Sequence, residues 1–317
     1  MTGLTAAFAD LAPQWRMALL VLGVLVIASI AAAALRRLRP ANDWSELAAR
    51  VRAWWIMAAV FFGAIAVSDT VSLVFFAFMS YWAMKEYVTL LVTRPADHRT
   101  LFLAFLAIPV QYYWIGIGWY GMFIIFIPVY MFLFLPIRQF LSRETSGFVA
   151  STSQIHWGLM AFVFCLSHMA FLLRLRAVPG TQVNGRTMIL FLVFVVEMSD
   201  VLQYIWGKAL GRHKIIPTVS PHKTWEGFLG GIASTAVLSL AIRSLTPFGV
   251  GETLLVTLLI TVAGFCGGAV MSAVKRDFGV KDFGGLIPGH GGMLDRVDSL
   301  CFAAPVFLHY TRYFHHL

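Results

Sequence analysis

Residues 17–35 read "MALLVLGVLVIASIAAAAL", a run without a single charge, and Arg36, Arg37 and Arg39 follow it. A helix needs about 20 apolar residues to cross the hydrocarbon of a bilayer. Cations just beyond such a run mark its cytoplasmic end. The small residues of "ASIAAAAL" invite comparison with a signal-peptide cleavage region, but Arg16 is almost the only positive charge before the run. The pattern is that of a retained helix with its C-terminal end inside. Residues 1–15 are mildly amphipathic and suit the membrane interface.

The rest of the chain extends this reading. Of 317 residues, 59% are hydrophobic and 12% charged, and mean hydropathy is +0.79. A soluble domain carries about a quarter charged residues. So much apolar surface predicts an integral membrane protein. Apolar runs fall at 17–35, 53–68, 70–84, 101–115, 118–136, 155–173, 188–206, 227–246, 252–271 and 299–312. None alternates strictly, which argues against a barrel. The fold class expected is all-α, a polytopic helical bundle with nine or ten crossings. Residues 1–186 form an N-terminal multi-span region, and 187–317 a C-terminal membrane region carrying the polar motifs.

The net charge of +9 reads as cytoplasmic loops rich in Lys and Arg rather than as a nucleic-acid surface. Residues 36–52, 85–100, 137–154, 207–225 and 272–298 all fall on the cytoplasmic side if ten helices cross from an external N-terminus. The loop 174–187, with Arg174, Arg176 and Arg186, dissents; either the crossing count there differs or those arginines snorkel to headgroups. Cys165, Cys266 and Cys301 lie in apolar runs without a CxxC pair, which predicts buried small hydrophobes. His156 and His168, also in an apolar run, read as hydrogen-bonded packing residues.

Two segments break the apolar pattern. Residues 272–298, "SAVKRDFGVKDFGGLIPGHGGMLDRVD", interleave six glycines with four basic residues and four aspartates. Gly289, Gly291 and Gly292 around His290 suit a nest of backbone amides for an anion. Lys275, Arg276, Lys281 and Arg296 suit phosphate oxygens. Asp282, Asp295 and Asp298 supply hard oxygens for magnesium. Cations for phosphate and carboxylates for a metal equip a site for phosphoryl or nucleotidyl transfer. A solvated charged loop would not need this glycine spacing.

The second segment is 197–227, "EMSDVLQYIWGKALGRHKIIPTVSPHKTWEG". Asp200 lies inside an apolar run, and an intramembrane carboxylate is costly and so a functional candidate. Ser220, Lys223 and Thr224 precede the next helix, where an N-terminus attracts phosphate. The plainer reading is that Ser220 or Thr224 caps the helix and Glu226 favours its dipole. Glu197 and Asp277 have weaker claims.

The 272–298 segment resembles the phosphatidate cytidylyltransferase (CDP-diacylglycerol synthase) signature S-x-x-K-R-x4-K-D-x5-P-G-H-G-G-x-x-D-R-x-D at every fixed position, starting from Ser272. "SPHKTWEGFLGG" looks like the family's second block, and "DVLQYIWG" like its D-T-x-A-Y-x-x-G block, keeping Asp200, Tyr204 and Gly207. The likeness covers about residues 190–300. Two departures stand out. Many bacterial members carry an acidic G-D-L-x-E-S block where this chain has "GGAVMS", so Gly268 replaces an aspartate and Met271 a glutamate. The eukaryotic-type branch is similar to this chain here. Gln203 stands where the family has a small residue.

The resemblance implies that phosphatidate attacks the α-phosphorus of CTP, forming CDP-diacylglycerol and releasing pyrophosphate. It further implies a divalent cation, usually Mg2+, a homodimer, and a polar cavity open to the cytoplasm of a bacterial inner membrane. In that scheme Asp282, Asp295, Asp298 and Asp200 hold the metal. Lys275, Arg276, Lys281, Arg296 and Lys223 neutralise charge, Ser220, Thr224 and Ser272 bind substrate, and His290 with its glycines positions a phosphate. A CTP-dependent transferase acting on another lipid phosphate such as an isoprenoid is the alternative, and a transporter the reading from a different class.

Overall fold

The structure is a computed structural model and describes residues 11–38, 43–286 and 291–316. Ten long helices form among these residues. They are α1 Pro13–Leu38, α2 Ser45–Val67, α3 Asp69–Val88, α4 His98–Gly116, α5 Tyr120–Phe140, α6 Phe148–Arg174, α7 Gly185–Leu210, α8 Trp225–Ala241, α9 Val250–Asp277 and α10 Leu294–His315. The fold is thus all-α except for a short antiparallel hairpin, β1 Lys214–Ile216 and β2 Ser220–Thr224, placed between α7 and α8.

The expected nine or ten crossings need correction. Among the described residues six helices are long and apolar enough to span: α1, α2 (from Leu47), α5, α6, α7 and α9. The other four are diluted or short for identifiable reasons. Helix α3 carries Asp69, Lys85 and Glu86; α4 opens on His98 and Arg99; α10 contains Asp295, Arg296, Asp298 and Arg312; α8 has 17 residues.

Local chemistry sets several boundaries. Ser68 is extended and its hydroxyl accepts from Val71 N, so the runs 53–68 and 70–84 are two helices rather than one. Pro128 lies in a π-turn at Phe126–Met131 within α5, where a missing backbone donor loosens the helical ladder. Asn184 caps α7 by accepting from Arg186 N and Thr187 N.

One apolar core joins both regions of the chain, through fully buried Phe76, Met84, Phe162, Phe191 and Phe307. Helix α7 packs along α8, and α9 along α10. His168 is buried, with Nδ1 2.8 Å from the Phe164 carbonyl and Nε2 3.3 Å from His309. His156 packs on Phe132, but its Nδ1 has no hydrogen-bond partner, which corrects the expectation for that residue. Arg186, one of the dissenting arginines, forms an ion pair with Asp69 at 2.8 Å across the starts of α7 and α3.

Candidate active site

The polar ends of α3, α7, α9 and α10 and the hairpin meet at one end of the bundle. The hairpin exists because α7 stops at Gly211 and the chain must reverse to start α8. Glu226, in the first turn of α8, accepts from the backbone N–H groups of Arg212 and His213 at 3.1 and 3.2 Å and lies 2.6 Å from the His213 ring. Thr224 caps α8 by accepting from Gly227 N, so the capping reading of that residue holds. Capping presents Lys223, one residue earlier, to α9. Its ammonium donates to the Phe265 carbonyl at 3.2 Å and sits 4.2 Å from the Phe265 ring centre. Burial pulls the Lys223 pKa below its ordinary value, against the opposing pull of Asp200 and Asp298.

Those two carboxylates come from helices far apart in sequence. The Ser299 hydroxyl donates to Asp200 at 2.8 Å and lies 3.3 Å from Asp298, whose carboxylate also accepts from Ser299 N at 2.6 Å. Glu197, one turn before Asp200 on α7, and Arg296 on α10 interact electrostatically with the same pair. The Arg296 Nε is buried without a hydrogen-bond partner. Asp200, Asp298, Lys223 and Arg296 therefore form one charged cluster across α7, β2 and α10.

Asp295 belongs to a different arrangement. One of its oxygens pairs with Lys275 at 2.8 Å; the other accepts from Phe283 N and Gly292 N, both at 2.9 Å. Gly291 is left-handed (φ +76°), and a Cβ there would lie 2.7 Å from Asp295 Oδ2, so glycine is required on both counts. Glu86 completes this second arrangement from α3. Only 4% exposed, it accepts from Met293 N at 3.0 Å and Leu294 N at 2.8 Å.

The remaining predicted residues fall around these two groups. Arg276 is exposed and reaches the Val219 carbonyl at 3.4 Å, tying α9 to the hairpin. Ser272 donates back to the Gly268 carbonyl at 2.7 Å. Lys281 and Asp282 are exposed, with Asp282 beside Gly291. Ser220 opens β2, paired with Ile216. Gly289 and His290 lie outside the described residues, as do Arg39 and most of the segment expected at the interface.

The donors fit a hard divalent cation in a limited way. Among the described residues no group of three or more His, Cys, Asp or Glu side chains is arranged as a ligand set. Asp200 and Asp298, brought to one hydroxyl, offer two carboxylates. Magnesium is commonly held by one or two carboxylates with substrate phosphates and water completing the shell. Asp295, with both oxygens engaged by an ion pair and two amides, is not equivalent to them.

Residues 48–314 match the cytidylyltransferase family. The chain belongs to this family. It is accordingly a nucleotidyltransferase, and the transporter reading falls. The family match extends well upstream of the 190–300 region that carries the sequence resemblance. The uncharacterised protein YnbB of Escherichia coli K12 is 45% identical over 276 residues, covering 86% of this chain and 90% of that one. The phosphatidate cytidylyltransferase of Staphylococcus aureus strain COL is 34% identical over 193 residues, 59% of this chain and 74% of that one. The Staphylococcus saprophyticus protein of the same name is 38% identical over 157 residues, 49% of this chain and 60% of that one.

Within this cytidylyltransferase, the departures have physical positions. A Cβ on Gly268 would lie 3.2 Å from Lys223 Nζ, 3.4 Å from Ser299 Oγ and 3.9 Å from Asp298 Oδ2. An acidic side chain at 268 would enter the charged cluster; here its place is left to the lysine. Gln203 stands at the contact of two helices. It packs between α7 and α8 against Gly227 and Gly231 and donates to Ser199 at 2.7 Å. Sequence reasoning missed Glu86 altogether. The available signal was a lone acid near the end of an apolar run, which an ordinary helix end also produces.

Proposed function

We propose that the chain is a CTP:phosphatidate cytidylyltransferase, forming CDP-diacylglycerol and pyrophosphate at the cytoplasmic face of a bacterial inner membrane. The observation carrying this reading is the meeting of Lys223, from the hairpin, with Asp200 and Asp298 beside Ser299 and Gly268. It puts a lysine ammonium, two carboxylates bridged by one serine and the Arg296 guanidinium in one place.

The phosphatidate oxygen is ionised at neutral pH and needs no strong base. It attacks the α-phosphorus of CTP, a P–O bond forms, and the bond to the β-phosphate oxygen breaks. Pyrophosphate leaves with the electron pair. Lys223 and Arg296 oppose the charge that accumulates on the phosphates, and the rigid frame around them holds the reactants in line. Asp200 and Asp298 would hold a divalent cation, which would supply charge stabilisation to the departing pyrophosphate. Lys281, Arg276 and Asp282, exposed at the same end, face arriving nucleotide. The Lys and Arg content of the loops joining this end supports a cytoplasmic orientation, and the family likeness adds a homodimer.

The test is incubation of purified protein with labelled CTP, Mg2+ and a panel of lipid phosphates including phosphatidate and isoprenoid phosphates. CDP-diacylglycerol as the preferred product is expected. A preference for an isoprenoid acceptor would overturn phosphatidate as substrate, and no cytidylylated lipid at all would overturn the reaction.

A further inference from the structure

Helix α10 carries Asp295, Arg296, Asp298 and Ser299, so its position decides whether Asp298 meets Asp200. A helix start leaves four backbone N–H groups without helical acceptors. Ser, Thr, Asp or Asn at the cap usually satisfies one of them. Here the cap position is Met293, which has no side-chain acceptor. The donors are taken instead by Glu86, more than two hundred residues earlier, which accepts from Met293 N and Leu294 N. Around it the chain is cut to fit: a methyl on Gly292 would overlap the Glu86 carboxylate, and one on Gly284 would lie 2.8 Å from it.

We propose that Glu86 is a positioning residue of the nucleotidyl-transfer site, capping α10 from α3 and setting the register in which Asp298 and Arg296 face Asp200. The N-terminal region thus supplies part of the site's frame. The same contact explains Gly292: its hydrogen is the only substituent that fits against the carboxylate. Charge is part of the requirement, because two donors converge on the two oxygens of one group. Glutamine at 86 would turn an NH2 toward one of those N–H groups.

The turnover prediction rests on the proposed reaction; the exchange measurement below does not. Glu86→Ala is expected to lower kcat about 10- to 100-fold, as displacement of about 1 Å does at a preorganised site, with the KM for the lipid acceptor changed less than twofold. Glu86→Gln should fall between. Gly292→Ala should match Glu86→Ala, because either change separates the carboxylate from α10. The double variant Glu86→Ala/Gly292→Ala should be no worse than the poorer single variant, since the methyl then has room. Hydrogen exchange on the full-length protein in lipid nanodiscs should show faster exchange at Met293 and Leu294 in Glu86→Gln, with α4 unchanged. Wild-type turnover in Glu86→Ala, additive losses in the double variant, or unaltered exchange at 293–294 would each overturn the proposal. A wild-type protein that forms no cytidylylated lipid, with the exchange change intact, would overturn the reaction alone.

Discussion

Two pairs of carboxylates lie at the same end of this bundle and are treated in opposite ways. Glu86 and Asp295 accept four backbone N–H bonds and one lysine ion pair between them. Asp200 and Asp298 share one serine and interact electrostatically with Glu197, one turn before Asp200 on α7. Buried charge is costly unless it is paired and hydrogen-bonded. The first pair meets that condition within the fold, and its removal should be felt as lost stability. The second pair meets it only partly: one hydroxyl and one backbone amide donate to it, with Lys223 and Arg296 as its opposing charges. An under-satisfied charge cluster held by a satisfied frame is the arrangement expected of a preorganised active site.

Asp298→Asn gives the largest expected effect that separates the two pairs. Activity should fall about 10²- to 10³-fold, the range seen when one preorganised charge-stabilising group is lost. The thermal midpoint should stay or rise, because a like-charge contact with Asp200 is relieved. A large fall in the midpoint would place Asp298 with the frame. Asp295→Asn should do the reverse in kind. It strands Lys275, only 14% exposed in its side chain, and should cost about 3 to 5 kcal/mol of stability, with activity falling as the loop loosens. A variant that keeps its midpoint yet loses activity would return Asp295 to the metal.

Lys223 tests the cluster through pH. Its ammonium is held below the ordinary lysine pKa by burial. Between that lowered value and the ordinary one the unfolded chain binds the extra proton, so stability rises with pH through the window. Activity should move the other way, falling as the cation is lost, with an alkaline limb below that of an ordinary lysine. Lys223→Arg, permanently charged, should abolish the limb even if its longer fork slows turnover by about tenfold. A limb that survives in Lys223→Arg belongs to another group.

Much of this was legible in the residues. Hydropathy gave the class of fold, and the charge-rich breaks at 197–227 and 272–298 gave the segments that meet. Spacing did not reveal which aspartates share a fate. Asp295 and Asp298 are three apart on one helix, yet Asp295 turns to the loop amides while Asp298 turns to Asp200. That choice depends on where Lys275 and Ser299 stand in space. Glu86 was invisible because its partners are backbone groups more than two hundred residues away, and backbone leaves no mark in a sequence pattern. The crossing count failed where polar residues needed by the site, such as Glu86 in α3 and Asp295 in α10, dilute helices that still form.

Gly268 offers the smallest and sharpest change. An aspartate there would bring its Cβ to 3.2 Å from the Lys223 ammonium and 3.9 Å from Asp298 Oδ2. The lysine is flexible and can yield a few tenths of an ångström, so Gly268→Asp should fold. The new carboxylate would draw Lys223 from the Phe265 carbonyl and add a third acid to the unsatisfied pair. Cation affinity grows with the number of charged ligands, so half-saturating Mg2+ should fall several-fold while kcat changes by less than about tenfold. Titration of activity against Mg2+ in wild type and variant reads this directly. An unchanged or weaker requirement for Mg2+ would mean that Asp200 and Asp298 do not hold the cation. The contrast between a satisfied frame and an open cluster would then describe electrostatics without describing catalysis.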